Sequence, residues 1–411
     1  MSDLINILLF ILIIPTVFII YDYFYTYYIY KKSTNAGKLS HEDVRLKNES
    51  DYTYNNDNIK LFVDGNQGFP EIEKLIYSAK STIFIEIFIF HYDPTGIRIA
   101  NLLIKKMQEG VEVKVLIDST GLRFGRNDRK IIKLLKKKKV DVRVFNINLF
   151  SRTGINLTHR KMIIVDGESS IIGGMNFGRE YEEDWHDAIF LLRGQISQEL
   201  QKEFLFDWKR AGGKEPNRIL KLNDNAYYGN IKMKILKTDI TPDNVDFQLY
   251  REMHNLIHNA KDYIYMTSPY FSDDGIIDNI IKAKKRKVIV NIVISKENNH
   301  YVFKALNLYT AKRFVSVGID VYFYKPKFSH LKAYIFDNKA IVGSANIDQR
   351  SFTGNQEIGV LVEDKEFVEE IKNKLFIKDI EISEKVTEET VKLTGTKKII
   401  VKILDILDYY L

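Results

Sequence analysis

The chain has 411 residues, of which 45% are apolar and 12% aromatic, so it can build more than one packed core and is not typical of a disordered protein. It contains no cysteine, which excludes disulfides, thiolate metal sites and cysteine nucleophiles. The formal charge of +7 favours an anionic partner, which could be nucleic acid, a phospholipid headgroup or an anionic membrane surface.

The first predicted element is a membrane anchor at residues 1–30. The stretch LINILLFILIIPTVFII (4–20) carries no charge and is close to the roughly 20 residues of a spanning helix. Tyrosines follow and then Lys31 and Lys32, as at a membrane interface. No Lys or Arg precedes the span, so the positive-inside rule predicts a single-pass protein of the cell membrane with the bulk of the chain on the cytoplasmic side. A buried core helix is the alternative.

Beyond a polar tether at residues 31–57, predicted helices and strands alternate and the pattern repeats. EIEKLIYSAKSTIFIEIFIF (71–90) and YREMHNLIHNAKDYIYMTSPYF (250–271) each show a helical period followed by an apolar run. We therefore predict two similar α/β lobes, residues 58–220 and 221–411, each with a mostly parallel sheet covered by helices.

Two basic runs, at 136–139 and 284–287, lie near predicted helix C-termini. A solvated surface that offsets the helix dipole is the first interpretation, and contact with anionic lipid is the alternative. The last predicted element is an amphipathic helix at 397–411, whose apolar stripe is typical of packing on its own domain.

One pattern of ionisable residues, His-x-Lys-x4-Asp, occurs twice in this duplication, at a constant offset of 171 positions (330 − 159 = 171). The copies are THRKMIIVD (158–166), with His159, Lys161 and Asp166, and SHLKAYIFD (329–337), with His330, Lys332 and Asp337. A lone histidine in an apolar strand is usually a core residue, but only eight occur in the chain and two fall at equivalent places. Positions i and i+2 of a strand share a face, so each histidine projects with its lysine. The odd spacing points both aspartates away, and we expect them to brace loops.

Each motif continues into a glycine and asparagine turn, GGMN at 173–176 and GSAN at 343–346. Glycine lets backbone amides approach an anion, and the amides of Asn176 and Asn346 donate hydrogen bonds. If the lobes meet about a pseudo-twofold axis, two histidines, two lysines and two asparagines face one pocket. That set suits a phosphodiester, because cations and amides stabilise its oxygens while one imidazole attacks phosphorus and the other protonates the leaving alkoxide.

Downstream carboxylates are placed to orient the two imidazoles. Asp187 and Glu357 each enter an apolar strand after a Gly/Asn turn, and a surface position is the alternative for either. The spacing from the motif aspartate to the glycine is one residue shorter in the second copy. This predicts that the turn carrying Ser344 and Asn346 is one residue tighter than its counterpart.

The double motif with its Gly/Asn turns resembles the phospholipase D superfamily. Longer stretches, such as THRKMIIVDGESSIIGGMNFGREYEEDWHDAIF and HLKAYIFDNKAIVGSANIDQRSFTGNQEIGVLVED, are similar to bacterial cardiolipin synthases. The resemblance implies two α/β sandwich lobes related by pseudo-twofold duplication. It also implies that all six motif residues belong to the catalytic set. Ser344, the two asparagines and the two downstream carboxylates would then bind phosphate or orient the histidines.

The implied reaction is phosphatidyl transfer between two phosphatidylglycerol molecules, with release of glycerol and without a metal or other cofactor. By analogy His159 is the nucleophile that forms a phosphohistidine and His330 is the general acid, although the local sequence does not distinguish them. The partners are then anionic phospholipid and the membrane.

Two alternatives stay open at this point. The first is a phospholipase D or a nuclease of the same superfamily, which would use water or another alcohol as acceptor. Nucleic acid is the less favoured partner, because no stretch interleaves aromatic residues with arginine as strand-binding grooves do. The second alternative is a non-catalytic membrane scaffold, which two intact motifs disfavour.

Overall fold

The computed structural model describes residues 54–56, 58–125, 127–145, 157–221, 229–240 and 245–392. The predicted anchor, almost all of the tether and the predicted C-terminal helix at 397–411 lie outside these residues. Tyr54–Asn56, at the end of the predicted tether, form a short strand. Across the described ranges no helix combines the length and the apolar character that a bilayer crossing requires. The boundary at residues 220 and 221 stays a prediction.

Strands and helices alternate along the described chain. The strands are β1 (Tyr54–Asn56), β2 (Asn58–Val63), β3 (Thr82–Ile87), β4 (Glu112–Asp118), β5 (Asp141–Phe145), β6 (Met162–Val165), β7 (Ser169–Gly173), β8 (Ala188–Arg193), β9 (Ile231–Ile240), β10 (Val245–Phe247), β11 (Tyr263–Thr267), β12 (Ile289–Ser295), β13 (Asp320–Tyr324), β14 (Ala333–Phe336), β15 (Lys339–Gly343), β16 (Glu357–Glu363) and β17 (Glu384–Lys385). The α-helices are α1 (Gly65–Ser78), α2 (Pro94–Gln108), α3 (Arg129–Lys137), α4 (Gln195–Arg210), α5 (Gln248–Asn259), α6 (Asp274–Lys285), α7 (Tyr301–Val315), α8 (Gln349–Thr353), α9 (Lys365–Ile371) and α10 (Lys378–Glu381). A 3-10 turn covers Gly121–Arg123, and π-helical turns cover Glu180–Asp184 and Lys372–Ile377.

Two sheets repeat one strand order, which confirms the predicted duplication into two α/β lobes. The first sheet runs β2-β8-β7-β6-β3-β4-β5, and the second contains the equivalent path β9-β16-β15-β14-β11-β12-β13, extended by β1, β10 and β17. Only β3-β4-β5 and β11-β12-β13 are parallel, and the other pairings are antiparallel. The prediction of mostly parallel sheets is therefore wrong. Each motif strand continues through a short hairpin, and such a connection joins antiparallel neighbours.

The core lies in three layers around these sheets. A central cluster contains residues of both sheets together with side chains of α4 and α9. The outer cluster of the first lobe packs α1, α2 and α3 against its sheet, and that of the second packs α5, α6 and α7. Along β6, Met162 and Ile164 belong to the central cluster while Ile163 and Val165 belong to the outer one. Burial on both faces explains why this motif strand is continuously apolar.

The one-residue difference between the motif copies lies in the hairpins and not at the Gly/Asn turns. Residues 166–168 connect β6 to β7, whereas residues 337 and 338 suffice between β14 and β15. Gly173 and Gly343 both have a positive φ, 155° and 156°, and an added Cβ would meet the backbone of the neighbouring strand in each case. The prediction of a tighter turn at Ser344 and Asn346 is therefore wrong, because the hairpin loop absorbs the extra residue.

Two short parallel bridges join the lobes beside the motif histidines. Thr158 pairs with Gln356, and His186 pairs with Ser329. The His159 N–H donates to the Gln356 carbonyl at 2.9 Å, and the His330 N–H donates to the His186 carbonyl at 2.7 Å. Each histidine is thus held by the backbone of the opposite lobe.

Candidate active site

Both motif histidines line one cavity of about 330 Å³. His159 and His330 are buried, and Asn176 and Asn346 line the same space. The strand that follows each histidine is anchored in the core, and the cross-lobe bridges fix the residues just before β6 and β14. The tertiary structure therefore brings together four of the residues that the sequence proposes, although they come from segments far apart in the chain.

A carboxylate of the second lobe orients His159. The His159 Nδ1 lies 2.8 Å from Glu357 Oε1, and the Ser344 hydroxyl donates to the other oxygen of the same carboxylate. Glu357 and Ser344 are both fully buried. Ser344 therefore contacts the carboxylate that pairs with the histidine.

A carboxylate of the first lobe orients His330 in the same way. The His330 Nδ1 lies 2.7 Å from Asp187 Oδ2, and Asp187 Oδ1 accepts the Ala188 N–H at 2.8 Å. Gly174 occupies the place that Ser344 has in the other lobe. A Cβ at Gly174 would lie 2.2 Å from Asp187 Oδ1, so this carboxylate has no room for a hydroxyl neighbour there. The histidine–carboxylate pairs are crossed between lobes, which the sequence analysis did not specify.

The two motif lysines lie beneath the histidines and are buried. Lys161 Nζ donates to the His159 carbonyl and Lys332 Nζ to the His330 carbonyl, each at 2.7 Å. Lys332 Nζ is also 3.1 Å from Nδ1 and 3.2 Å from Nε2 of His330. Burial lowers the pKa of Lys332 to about 8 and that of Lys161 well below its usual range. A bound phosphate anion would favour the charged form of both.

The two histidine pairs differ electrostatically. Burial lowers the pKa of His159 to about 4, and burial with the adjacent lysines lowers the pKa of His330 well below its usual value. Burial would raise the pKa of Glu357, but His159, Lys161 and the Ser344 hydroxyl outweigh it and hold that pKa below its usual value. Burial raises the pKa of Asp187 to about 7 in spite of Lys332. Glu357 is therefore the more strongly anionic partner.

Asp166 and Asp337 do not line this cavity, and the structure therefore corrects the expectation that they belong to the catalytic set. Each follows its motif strand and is separated from the histidine by the length of that strand. The Asp166 carboxylate accepts backbone N–H groups of residues 80–82, at 2.8 Å each. The Asp337 carboxylate accepts those of residues 261–263 at 2.9 to 3.0 Å. Both brace the start of the strand, β3 or β11, that pairs with their motif strand.

The asparagines line the cavity, and the protein engages both side chains, that of Asn346 through a hydrogen bond with Asp348. Asn176 accepts the Ile89 N–H at 2.9 Å and donates to the Tyr181 hydroxyl at 2.8 Å. Asn346 Oδ1 is buried without a protein partner among the described residues. Asn346 is therefore the better placed of the two to contact a ligand.

Aromatic side chains form a wall of the site that the sequence analysis missed. Tyr181 and Trp185 pack on His330, with ring centroids 5.5 and 5.4 Å away, and Phe88 meets His159 at 5.0 Å. His91 also lines the cavity, and no repeated motif marks any of these residues. The only available signal was the aromatic content of the segment EYEEDW just before Asp187.

The described part of the chain contains no group of three or more His, Asp or Glu side chains arranged to hold a metal ion. The ionisable groups at the cavity are instead paired as His–carboxylate and Lys–carbonyl contacts. The arrangement can therefore hold a tetrahedral anion between two imidazoles, with lysines below and aromatic rings beside them.

Comparisons with known proteins agree with this geometry. The family described as "Cardiolipin synthase, PLD-like domain" matches residues 72–208 and 253–379. The cardiolipin synthase of Oceanobacillus iheyensis is 34% identical over 371 residues, which cover 85% of this chain and 75% of that protein. Cardiolipin synthase 2 of Staphylococcus epidermidis is 30% identical over 381 residues, with 87% and 77% covered.

Solved structures show the fold. Phosphatidylserine synthase from Haemophilus influenzae superposes with a TM-score of 0.69 at 15% identity and covers 88% of this chain and 98% of its own. Polyphosphate kinase from Porphyromonas gingivalis superposes with a TM-score of 0.56 at 12% identity, covering 86% and 54%.

The duplicated fold, the paired motifs and these relatives define a phosphatidyltransferase of the phospholipase D superfamily. Within that superfamily, the chain belongs to the cardiolipin synthase family of phospholipase D-like proteins.

Proposed function

We propose that the chain transfers a phosphatidyl group from one phosphatidylglycerol to a second, which makes cardiolipin and releases glycerol. The observation that carries the proposal is the pair of histidines on one cavity, each with Nδ1 against a buried carboxylate. With Nδ1 engaged, Nε2 is the ring nitrogen that reacts. The relatives named cardiolipin synthase support the choice of substrate.

In the first step, His159 attacks phosphorus. The bond from nitrogen to phosphorus forms, the bond from phosphorus to the glycerol oxygen breaks, and His330 gives its proton to that oxygen. In the second step, His330 takes the proton from the terminal hydroxyl of another phosphatidylglycerol. That oxygen attacks phosphorus and the bond to His159 breaks. Lys161 and Lys332 offset the charge of the phosphoryl oxygens throughout.

The asymmetry of the carboxylates supports this assignment of roles. A nucleophile must be neutral, and lowered pKa values keep the rings of both His159 and His330 unprotonated at neutral pH, so the difference lies in their carboxylate partners. Because the pKa of Asp187 is raised to about 7, the Asp187–His330 pair can retain a shared proton close to neutral pH. That proton can pass from Asp187 to Nδ1 of His330 as the Nε2 proton leaves for the glycerol oxygen, so we assign the first proton donation to His330.

The aromatic wall supports a lipid substrate. Phe88, Tyr181 and Trp185 place apolar ring surface directly beside the reacting imidazoles. A phosphodiester with a glycerol and acyl groups presents both an anion and apolar surface to such a cavity. We also propose that the N-terminal apolar span anchors the chain in the cell membrane, with this site on the cytoplasmic side.

The test is a product assay with purified full-length chain and phosphatidylglycerol as the sole lipid. We expect cardiolipin and glycerol in equal amounts, loss of both in His159→Ala and in His330→Ala, and an acid-labile phosphatidyl adduct on the active chain. Phosphatidic acid in place of cardiolipin would show that water is the acceptor and that the enzyme is a hydrolase.

A further inference from the structure

A basic face and exposed aromatic rings adjoin the mouth of the active-site cavity. Phe124 lines the cavity and is nevertheless 56% exposed, and Tyr92 is 38% exposed beside it in the fold. Phe124 packs edge-on against Phe88, which contacts His159. An exposed aromatic ring that is continuous with the cavity provides apolar area that a lipid substrate or surface could cover.

The segment between these rings and helix α3 is tied to the cavity by Asp128. One Asp128 oxygen accepts the Tyr92 N–H at 3.0 Å, and the other lies 2.7 Å from Nδ1 of His91, which lines the cavity. The same oxygen accepts the Gly125 N–H at 2.8 Å. These contacts fix the start of α3 at the rim.

Helix α3 turns a cationic face to solvent at this place. Its buried side chains are Ile131 and Leu135. The cations on the remaining surface are all exposed, and they are Arg129, Lys130, Lys133, Lys136 and Lys137. Lys130, Lys133 and Lys137 recur at spacings of three and four, so they form one stripe along the helix. Lys130 Nζ also lies 5.6 Å from the Tyr92 ring centroid, which connects the stripe to the exposed aromatics.

The acidic turn Glu180–Asp184 on the same rim does not cancel this charge. Glu180 lies 2.8 Å from His91 Nε2, Glu182 pairs with Arg98, and Glu183 pairs with Arg179 at 2.6 Å. Three of the four carboxylates in this turn therefore have a cationic partner, so the turn reduces the positive potential of the lysine stripe less than four free charges would.

We propose that this surface, made of Tyr92, Phe124 and the basic face of α3, docks on an anionic phospholipid bilayer and presents the cavity mouth to the lipid. Lysines attract the anionic headgroups, and the aromatic rings enter the interfacial region, where rings with one polar and one apolar side are favoured. The proposal rests on the proposed function only in taking a phospholipid as substrate. Nucleic acid also binds surfaces that combine cations with aromatic rings, and the experiment below distinguishes it from lipid.

Because the chain has no native cysteine, single labels can report this docking. The full chain carries a polarity-sensitive fluorophore at Phe124→Cys or, as the control position, at Ile289→Cys. Ile289 is 58% exposed and starts β12, whereas the end of that strand, Ser295, lies on the side of the site. Each labelled chain is reconstituted in phosphatidylcholine vesicles with or without phosphatidylglycerol and with a spin-labelled lipid as quencher.

We expect quenching at position 124 in vesicles that contain phosphatidylglycerol, weaker quenching in phosphatidylcholine alone, and no quenching at position 289. The pair Lys130→Gln and Lys133→Gln should lower the docked-to-undocked ratio by roughly tenfold or more. The attraction that two lysines supply near an anionic surface is somewhat larger than the free energy of one tenfold step in this ratio. The matched pair Lys285→Gln and Lys287→Gln removes the same charge from exposed positions of the second lobe and should leave quenching unchanged.

This readout needs no turnover, so it separates docking from the proposed chemistry. Quenching at position 124 should be the same in the labelled chain with and without His159→Ala, whatever the product assay gives. Equal quenching at positions 124 and 289, or equal effects of the two lysine pairs, would overturn the docking surface. A DNA duplex that changes the label at position 124 while vesicles do not would overturn it in favour of nucleic acid.

Discussion

His159 and His330 occupy equivalent places on a duplicated backbone, yet the side chains behind them differ in charge. In the first lobe the Thr158 N–H donates to the Asp118 carboxylate at 2.9 Å, and in the second the Ser329 N–H donates to the Ser295 hydroxyl at the same distance. The backbone path is thus the same. The acceptor is a carboxylate in one copy and a neutral hydroxyl in the other.

The residue after each histidine shows a larger contrast. Arg160 is fully buried and donates to Asp207 at 2.7 Å, whereas Leu331, its equivalent, packs in the central apolar cluster. Glu86 lies in the same charged group, and burial with nearby Asp207 raises its pKa well above the usual value in spite of Arg160. The His159 side of the molecule therefore contains a buried ionic network that the His330 side lacks at this position.

At the residue whose backbone carbonyl accepts the N–H of each histidine, the charged network lies on the His330 side instead. The Gln356 side chain donates to Asp239 at 2.9 Å, whereas the His186 ring lies between Asp64, at 2.6 Å, and Asp379, at 3.0 Å. Lys327 also pairs with Asp64 at 2.9 Å. Duplication has therefore kept the main-chain geometry while the side chains changed.

The largest expected effects come from replacing the carboxylates that pair with the two histidines. Glu357→Gln and Asp187→Asn should each lower kcat with phosphatidylglycerol by roughly 10³ to 10⁴-fold, because an amide holds the histidine in the wrong tautomer. A phosphatidyl ester of p-nitrophenol needs no proton on its leaving group. We expect it to restore much of the first-step rate in Asp187→Asn and little in Glu357→Gln, measured by nitrophenolate release. Equal recovery in both variants would contradict the assigned roles.

The next effect concerns the buried ion pair. Arg160→Leu, which copies the residue of the second lobe, should lower the free energy of unfolding by about 3–5 kcal/mol, since buried Asp207 loses its nearest cation and keeps only the more distant Arg210, at 3.2 Å. Arg160→Leu with Asp207→Asn should recover part of that loss. Chemical denaturation of the full chain, with both variants in parallel, measures the difference. A double variant no more stable than the single one would show that the pair is not the source.

A smaller effect is a pH dependence from His186. The carboxylates of Asp379 and Asp64 outweigh burial and raise the pKa of His186 to about 9, above its ordinary 6.5. The resulting stability is fully present below about pH 6.5 and is lost as the pH rises through about 9, with an upper limit of about 3 kcal/mol. His186→Gln, which copies Gln356, should flatten the fall in unfolding midpoint across that range.

His91 provides the control for this pH dependence. Its pKa is also raised to about 9, because Glu180 and Asp128 outweigh burial, but it is not at the bridge between lobes. His91→Gln should leave the His186 contribution in place, so that part of the slope persists. If His186→Gln kept the full slope of the unmodified chain, the His186 contacts would not be its origin.

The smallest effect should be equal in the two lobes. Asp166→Asn and Asp337→Asn each weaken three backbone hydrogen bonds at the start of β3 or β11, and we expect a loss of about 1–3 kcal/mol in the free energy of unfolding for each. Because neither aspartate lies in the cavity, KM and kcat per folded molecule should stay close to those of the unmodified chain. A selective loss of kcat in either variant would return that aspartate to the catalytic set.

The local sequence pattern was sufficient to predict part of the fold and part of the candidate site. The motif strands, the Gly/Asn turns and the duplication follow from side-chain period and a constant offset, and the two-lobe α/β fold is confirmed. The outward direction of the motif aspartates followed from the odd spacing in a strand. The parallel character of the sheets was predicted wrongly, because alternation of helices and strands does not reveal how the motif hairpin inserts beside β3 and β11.

The duplication in the amino-acid sequence by itself pointed to the paired histidines, lysines and asparagines and to the two downstream carboxylates. Only the tertiary structure decided how they pair. The partners of His159 and His330 lie 198 and 143 residues away in the opposite lobe, and no local period encodes a contact across that interface. The tertiary structure also decided the aromatic wall and the charged groups behind each histidine. Segments that are distant in the chain come into contact there, and their burial and proximity set the packing and the pKa values.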